Sequence, residues 1–332
     1  MYIRILAVYH RWLNMFARAA LLRIFFLACV LGACGGSSFA RVPTEPFESF
    51  TVKTGGDFPA GISAWYLPAS GTARGTLFIC HGYGSSKERM VGWEWIRSQC
   101  GRNVIFFDFR EHGQSTHSRH FSTLGFHEQD DLRAVINWAD GRGLAKPYNV
   151  YGRSMGASTA LLEAGADERI SGVLAMSPFR NAWLAIDEMR KAGYSSAWAA
   201  PLFVHGDLKS ILKGVDIPSA VARRDDLRIW IMAGEKDAFP EADQRAILAA
   251  SKSPQSLKRL VIAPGTGHTD TWRFAGAGAL PGHDEYIRQF LGVSEIPTTA
   301  GLSRPTVALS AVAVVFAGGW AILLLRRRRQ AA

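Results

Sequence analysis

The sequence YNVYGRSMGAST, residues 148–159, changes character at its centre. Its first four residues are mostly aromatic or β-branched, which favours a buried strand, and the residues after Ser154 have helical character. Gly152 and Gly156 lie two residues to either side of Ser154. We expect a tight turn from strand to helix here, because a side chain at either glycine would collide with neighbouring backbone.

The central residues GRSMG fit the G-x-S-x-G pattern of a nucleophile elbow, which requires a strand before it and a helix after it. The field at a helix N-terminus stabilises negative charge that develops beside the serine. Glycine–serine turns also occur without a catalytic role, so the pattern needs partners elsewhere in the chain. With such partners, it predicts that Ser154 is a nucleophile.

A serine needs a base to take its proton, and the base needs an acid to orient it. After a nucleophile elbow the acid and then the histidine follow in the chain. Asp237 in IMAGEKDAFP comes just beyond a predicted strand, and His268 in VIAPGTGHTD comes just beyond the next. The order predicts a triad of Ser154, Asp237 and His268, with Glu235 and Glu241 as alternative acids.

The other histidines are weaker candidates. His283 is an alternative base, but PGHDEYIRQF is typical of the start of a terminal helix, which favours a surface or capping role. The remaining candidates are scattered without the spacing of a zinc site, so we expect no metal and no cofactor; they are His112, His117, His120, His127 and His205.

An oxyanion hole needs two backbone N–H groups. Met155 follows the nucleophile and supplies the first. The loop HGYGSS follows the predicted strand TLFIC, and Tyr83 in this loop is the expected second donor. For His81 we favour a role in bracing the loop over a role in proton transfer.

The rest of the body predicts one α/β domain over residues 47–293. FESFTVKT and ISAWYLPA alternate like half-buried antiparallel strands, and short apolar runs then alternate with helical stretches such as ERMVGWEWIRSQC. This order predicts a mostly parallel, doubly wound sheet with helices on both faces. Residues 179–225 lack a strong strand and are interpreted as a small helical insertion.

The segments CHGYG, FDFREHGQS, GRSMGAS, GEKDAFP and GTGH together resemble the α/β-hydrolase superfamily, especially its small bacterial esterase, lysophospholipase and serine-aminopeptidase-like members. The resemblance covers about residues 47–293 and implies that the insertion is a cap over the active site. In that group D-x-R-G-H-G-x-S is usual, and Glu111 here replaces its first glycine. The departure concerns the loop beside the pocket and not the predicted triad.

We therefore expect a serine hydrolase that cleaves a carboxylic ester, with a small-molecule or lipid-like substrate. An amide or peptide hydrolase and an acyltransferase remain alternatives on the same triad. A catalytically inactive binding or scaffold protein of the same fold is the alternative from another class. The oligomeric state is left open by the sequence.

The C-terminal end predicts a membrane anchor. Residues 305–325 contain no charge, and at about 1.5 Å per residue they match the hydrocarbon thickness of a bilayer. Residues 294–304 are interpreted as a linker and residues 326–332 as a basic cytoplasmic tail. A processed sorting tail is an alternative to a plain anchor.

The N-terminal end resembles an export signal. After Arg23 a short apolar run leads into LGAC, which resembles a bacterial lipobox and makes Cys34 a lipidation candidate. Residues 1–34 are therefore expected to be a lipoprotein-like signal. An uncleaved anchor and cleavage near Ala40 are alternatives, and Met15 is an alternative start.

The chain has a formal charge of +10, but the excess lies at its two ends. Without the four arginines before Cys34 and the four at 326–329, 30 basic residues face 28 acidic ones. We therefore expect no nucleic-acid partner. Because positive residues stay cytoplasmic, the catalytic domain is expected on the outer, periplasmic side of a bacterial inner membrane.

The body contains two cysteines, Cys80 and Cys100. Cys80 ends a predicted strand and Cys100 ends the predicted helix that follows, which places them about 20 Å apart for a helix of about 13 residues. That separation exceeds what a disulfide can span. We expect two free thiols.

Overall fold

The structure, a computed structural model, describes residues 41–293 apart from 57, 91, 93–94, 118–121, 194–206 and 279. The expected signal segment with Cys34, the linker, the span at 305–325 and the basic tail all lie outside this part. Among the helices in the described residues, none is long and apolar enough to cross a bilayer.

An eight-stranded sheet forms the centre of the fold, in the order β1-β2-β4-β3-β5-β6-β7-β8. Only β2 runs antiparallel to its neighbours β1 and β4, and the remaining pairs are parallel. The prediction of a mostly parallel sheet that begins with an antiparallel pair of strands is confirmed. The strands are β1 Glu48–Lys53, β2 Gly61–Leu67, β3 Thr76–Cys80, β4 Asn103–Phe107, β5 Tyr148–Arg153, β6 Ile170–Met176, β7 Arg228–Lys236 and β8 Lys258–Gly267.

Helices follow most of the strands, as expected for a doubly wound sheet. Short 3₁₀ turns occupy Lys87–Met90, Gln255–Leu257 and Thr271–Arg273, and a small hairpin pairs β9 Gly276–Ala277 with β10 Leu280–Pro281. The helices are α1 Trp95–Gln99, α2 Glu128–Gly141, α3 Met155–Ala164, α4 Ala182–Lys191, α5 Asp207–Gly214, α6 Ile217–Val221, α7 Glu241–Ala250 and α8 His283–Phe290.

Both faces of the sheet are buried, each by its own core cluster. Successive residues of a strand point to opposite faces and therefore belong to different clusters. In β3, Phe78 belongs to a core cluster that also contains Leu161 of α3. Its neighbour Leu77 belongs to a second cluster with Ile96 of α1 and Phe290 of α8. The two clusters explain why the central strands are continuous apolar runs rather than alternating ones.

The insertion between β6 and β7 is helical, as expected. Its described part contains α4, α5 and α6, and an isolated bridge joins Asn181 to Asp216. The Asn181 side chain caps α4 by accepting from the backbone N–H groups of Trp183 and Leu184. Residues 194–206 lie outside the described part, and the role of the insertion as a cap stays a prediction.

The expected helix of about 13 residues before Cys100 is wrong. The segment contains the 3₁₀ turn Lys87–Met90 and the short helix α1, and between them Gly92 has a φ of +115°. A right-handed helix cannot continue through that backbone conformation. Cys80 and Cys100 are nevertheless free and buried in different core clusters, so the prediction of two free thiols is confirmed.

Candidate active site

Ser154 lies at the turn between β5 and α3, in a backbone conformation with a φ of +49°. A methyl group on Gly152 would lie 2.4 Å from the carbonyl oxygen of Gly156, and one on Gly156 would lie 2.4 Å from that of His81. Only hydrogen fits at either position. The turn is fixed further by the Ser154 N–H, which donates to the Met176 carbonyl of the neighbouring strand at 2.8 Å.

The structure brings the three residues of the predicted triad together. The Ser154 Oγ lies 2.9 Å from His268 Nε2, and His268 Nδ1 lies 2.7 Å from Asp237 Oδ1. Ser154 follows β5, Asp237 follows β7 and His268 follows β8. Since the carboxyl ends of parallel strands meet at one edge of the sheet, residues more than a hundred positions apart become neighbours.

The environment of Asp237 favours its charged form. Burial works to raise the pKa of the carboxyl, but the hydrogen bond to His268, the charge of His268, the Ser177 hydroxyl and the Phe239 N–H lower it below its usual value. The Phe239 N–H donates to Asp237 Oδ1 at 3.0 Å. The Phe239 ring also packs edge-on against His268, with ring centroids 4.7 Å apart. The acid and the base are therefore held by the same short segment.

The two alternative acids lie in other contacts. Glu235 lies at the exposed end of β7 and accepts the Gly265 N–H at 2.8 Å. Glu241 pairs with Arg245 one turn along the exposed side of α7. The carboxylate bonded to His268 Nδ1 is that of Asp237.

The loop after β3 lies against the turn. A methyl group on Gly82 would lie 3.6 Å from the Ser154 Cβ, which places the next residue, Tyr83, beside the nucleophile. The Tyr83 side chain is 53% exposed. Met155 is the first residue of α3, where a backbone N–H has no acceptor within the helix. The roles of Tyr83 and Met155 as oxyanion donors stay a prediction.

His81 is fully buried behind this loop. Its Nδ1 donates to the Gly82 carbonyl at 2.8 Å, and its Nε2 accepts the Phe109 N–H at 3.0 Å. Burial, assisted by the neighbouring His112, lowers the pKa of His81 to about 3. The imidazole is therefore neutral and joins the loops after β3 and β4, in agreement with the bracing role that the sequence favoured.

A buried ion pair lies beneath the same loop and was not found by sequence reasoning. Lys87 Nζ contacts Asp108 Oδ2 at 2.6 Å, and both side chains are fully buried. Asp108 also accepts the N–H groups of Lys87 at 2.6 Å and Gln114 at 2.8 Å. A methyl group on Gly113 would lie 2.3 Å from this carboxylate. The motif DFREHGQS therefore anchors the loop that carries Tyr83.

The departure at Glu111 falls on a special backbone conformation. Its φ is +61°, in the left-handed region that glycine adopts most readily. The neighbouring Arg110 is held by its Nε and backbone N–H, which both donate to Asp131 at 2.8 Å. The usual glycine therefore has a structural reason, and here Glu111 takes the same left-handed conformation beside the anchored Arg110.

The expectation that His283 occupies a surface or capping position is wrong. His283 begins α8 as expected, but it is buried, and its Nε2 is 3.0 Å from the Tyr151 hydroxyl. Tyr286, Ile287 and Phe290 are also buried. These spacings of three, four and seven residues place His283 on the inner face of an amphipathic helix.

The described residues contain no group of three or more His, Cys, Asp or Glu side chains that could hold a metal ion. The chemistry that the arrangement can perform is proton transfer and nucleophilic attack by Ser154 and His268.

The chain is similar to one family model and to several known proteins. The family model described as serine aminopeptidase, S33 (Hydrolase_4) matches residues 71–208, which include Ser154 but neither Asp237 nor His268. The protein YqkD of Bacillus subtilis is 39% identical over 95 residues, which are 27% of this chain and 30% of YqkD. The match therefore spans less than a third of that relative.

Solved structures match over most of the chain. The esterase Pf2001 of Pyrococcus furiosus has a TM-score of 0.52 at 22% identity, covering 70% of this chain and 91% of that one. Acetyl xylan esterase 1 of Thermoanaerobacterium sp. JW/SL YS485 has a TM-score of 0.57 at 19% identity, covering 77% and 85%. The fold is that of an α/β hydrolase. At these identities the likeness shows the fold alone, and the chemistry of this chain has to be argued from the site.

Proposed function

We propose that the protein is a serine hydrolase that cleaves a carboxylic ester. The observation that carries the proposal is the continuous hydrogen-bonded chain from Ser154 Oγ through the His268 ring to Asp237 Oδ1, at 2.9 Å and 2.7 Å. The serine is only partly buried, so a substrate carbonyl can approach it. A backbone φ of +49° at a non-glycine residue is typical of strain kept at a functional site.

In the proposed mechanism, Ser154 Oγ attacks the ester carbonyl while His268 Nε2 takes the hydroxyl proton. Asp237 holds His268 with Nε2 facing the serine and stabilises the imidazolium. The N–H groups of Tyr83 and Met155 stabilise the oxyanion. His268 then returns the proton to the leaving alcohol, and water, activated by the same histidine, releases the acid from the acyl-serine.

The two reported structural neighbours are named as esterases, which supports ester over amide hydrolysis. The family model is named for a serine aminopeptidase, which keeps amide hydrolysis as the second candidate. An acyl transfer differs only in the acceptor that attacks the acyl-serine. Comparing p-nitrophenyl esters with aminoacyl p-nitroanilides separates these activities.

The decisive experiment is labelling of the full-length chain with a fluorophosphonate, together with hydrolysis of short p-nitrophenyl esters. We expect both in the natural chain and neither in Ser154→Ala. A natural chain that neither labels nor hydrolyses any ester or anilide would instead support an inactive binding protein of the same fold.

We also propose that the domain is tethered to a membrane on its periplasmic side, with a lipid-like ester as substrate. The support is the uncharged stretch 305–325, the arginines beyond it and the lipobox-like Cys34. Protease added to spheroplasts should digest the catalytic domain and spare a tag placed after Ala332. A domain protected from the protease would contradict this location.

A further inference from the structure

Ser177, the first residue after β6, has an unusual backbone. Its φ is +52°, in the left-handed region that residues other than glycine seldom adopt. The segment is fixed on several sides: the Ser177 N–H donates to the Met232 carbonyl at 2.9 Å, the Pro178 carbonyl accepts from Gln244 at 3.0 Å, and the Phe179 N–H donates to Ser158 Oγ at 3.0 Å. Such strain persists only where the surroundings determine it, and it concentrates at functional sites.

Glycine would adopt this backbone without strain, so the serine side chain invites an explanation. Ser177 is 3% exposed, and its Oγ is a buried polar atom. Within the described residues, neither Ser177 Oγ nor Asp237 Oδ2 has a partner in hydrogen-bond geometry. Unpaired buried polar groups are costly, and here two of them follow neighbouring strands of the sheet.

The two atoms lie on neighbouring strand ends. Ser177 follows β6 and Asp237 follows β7, which pair in parallel. The Ser177 hydroxyl is close enough to the Asp237 carboxyl to contribute to the lowering of its pKa, against the effect of burial and alongside His268. A serine hydroxyl is a rotor that can turn its proton toward an acceptor. The other carboxylate oxygen, Oδ1, is already used by His268 and the Phe239 N–H.

We propose that Ser177 is a positioning residue that donates its hydroxyl to Asp237 Oδ2 and so fixes the plane of the carboxylate that orients His268. With one oxygen held by Phe239 and His268 and the other by Ser177, the carboxylate cannot turn away from the imidazole. The inference rests on the proposed Ser154–His268–Asp237 mechanism and adds a residue to it.

The test compares Ser177→Gly with Ser177→Ala in the full-length chain. Both remove the hydroxyl, but only glycine also relieves the backbone strain, so the pair separates side chain from backbone. Loss of a hydrogen bond to a charged group predicts that kcat falls about tenfold in both variants, with KM unchanged. Ser177→Gly should unfold at the same temperature as the natural chain or above it. If Ser177→Gly keeps full kcat, the serine serves only the turn and the proposal is wrong.

Ser253→Ala is the matched control. Its hydroxyl is also buried without a partner among the described residues. Ser253 precedes β8, whereas His268 follows it, so the two residues lie beyond opposite ends of this strand. We expect Ser253→Ala to leave kcat unchanged. An equal loss in this variant would show that removing any buried hydroxyl lowers turnover, which would overturn the proposal.

A second measurement asks whether Ser177 acts through Asp237. In an Asp237→Ala background the tenfold effect of Ser177→Gly should disappear, because no carboxylate remains to be positioned. An unchanged tenfold effect would contradict this route. Ser154→Ala distinguishes failure of the proposed function from failure of this inference. If Ser154→Ala keeps full turnover, the proposed function is wrong. If Ser154→Ala is inactive and Ser177→Gly is fully active, only the role of Ser177 is wrong.

Discussion

Asp108 and Asp237 are two buried carboxylates at the same edge of the sheet, one following β4 and the other β7. Both oxygens of Asp108 are bonded, to Lys87 and to the Gln114 N–H. Asp237 instead holds a histidine at Oδ1, and the group that we assign to its Oδ2 is the neutral hydroxyl of Ser177.

The two carboxylates differ in whether their partner can change its charge. Histidine is the side chain whose charge changes near neutral pH, whereas a lysine ammonium is a fixed donor. A carboxylate whose oxygens are both bonded to fixed donors holds two loops together, and it has no partner that changes its charge near neutral pH. A carboxylate bonded to an imidazole can follow the charge that develops during a reaction. Burial alone therefore does not identify a catalytic acid.

The largest expected effect is on Asp237. Asp237→Asn should lower kcat about ten-thousandfold by analogy with other triads, since the amide stabilises the wrong histidine tautomer. The temperature of thermal unfolding should change little, so that the loss of kcat reflects the site and not the fold. Ser154→Ala and His268→Ala should lose turnover to a similar degree, and combining them should add little, because the three side chains act as a unit.

Steady-state kinetics on purified, full-length variants measure this effect. Glu235→Gln and Glu241→Gln are the controls, and both should keep near-full activity. If Asp237→Asn were as active as the natural chain while Glu235→Gln was not, the acid would have been assigned to the wrong residue.

The second effect is on stability and concerns the other carboxylate. Asp108→Asn removes the carboxylate 2.6 Å from the buried Lys87 ammonium and leaves it only the longer contact with Glu88 at 3.7 Å. We expect the free energy of unfolding to fall by about 3–5 kcal/mol. Urea denaturation of the full-length chain measures this change. Glu48→Gln is the control, because Glu48 pairs with Arg142 on the surface and should cost at most about 1 kcal/mol.

The outcome that breaks the comparison is specific. If Asp108→Asn kept its stability and lost turnover as Asp237→Asn does, then Asp108 would take part in the chemistry. Under our interpretation, the activity of folded Asp108→Asn falls only to the extent that the loop carrying Tyr83 shifts.

The same comparison shows what the sequence could predict. Ser154, Asp237 and His268 were found because each follows a strand within a short pattern, and parallel strands bring such positions to one edge. Lys87 and Asp108 are 21 residues apart in loops that have no common pattern. Their contact depends on how two loops fold over the sheet, which local sequence does not determine.

Two errors have local causes. Nothing in ERMVGWEWIRSQC excludes a single helix, because an isolated glycine is tolerated in helices at a cost of about 1 kcal/mol. The positive φ of Gly92 is set by the loop around it. The burial of His283 could have been predicted, since the apolar residues three, four and seven positions later mark the inner face of α8.

The smallest expected effect is on the pH dependence of stability. Burial raises the pKa of Asp237, but His268, the Ser177 hydroxyl and the Phe239 N–H together hold it below its usual value in the folded chain. A carboxyl with a lowered folded-state pKa stabilises the fold above its unfolded pKa of about 3.9, and this contribution is lost as the pH falls through the folded pKa. Asp237→Asn removes the titrating group.

Between about pH 5 and 3 the natural chain should therefore lose stability more steeply than Asp237→Asn. The difference in slope is at most one proton, or about 1.4 kcal/mol per pH unit. Urea denaturation of both chains at several pH values in this range measures it, and Glu48→Gln provides the slope expected from an exposed carboxyl. Parallel curves for the natural chain and Asp237→Asn would mean that Asp237 has the same proton affinity folded and unfolded. The carboxylate would then not be held in its charged form by His268, and the distinction between Asp237 and Asp108 would have to rest on geometry alone.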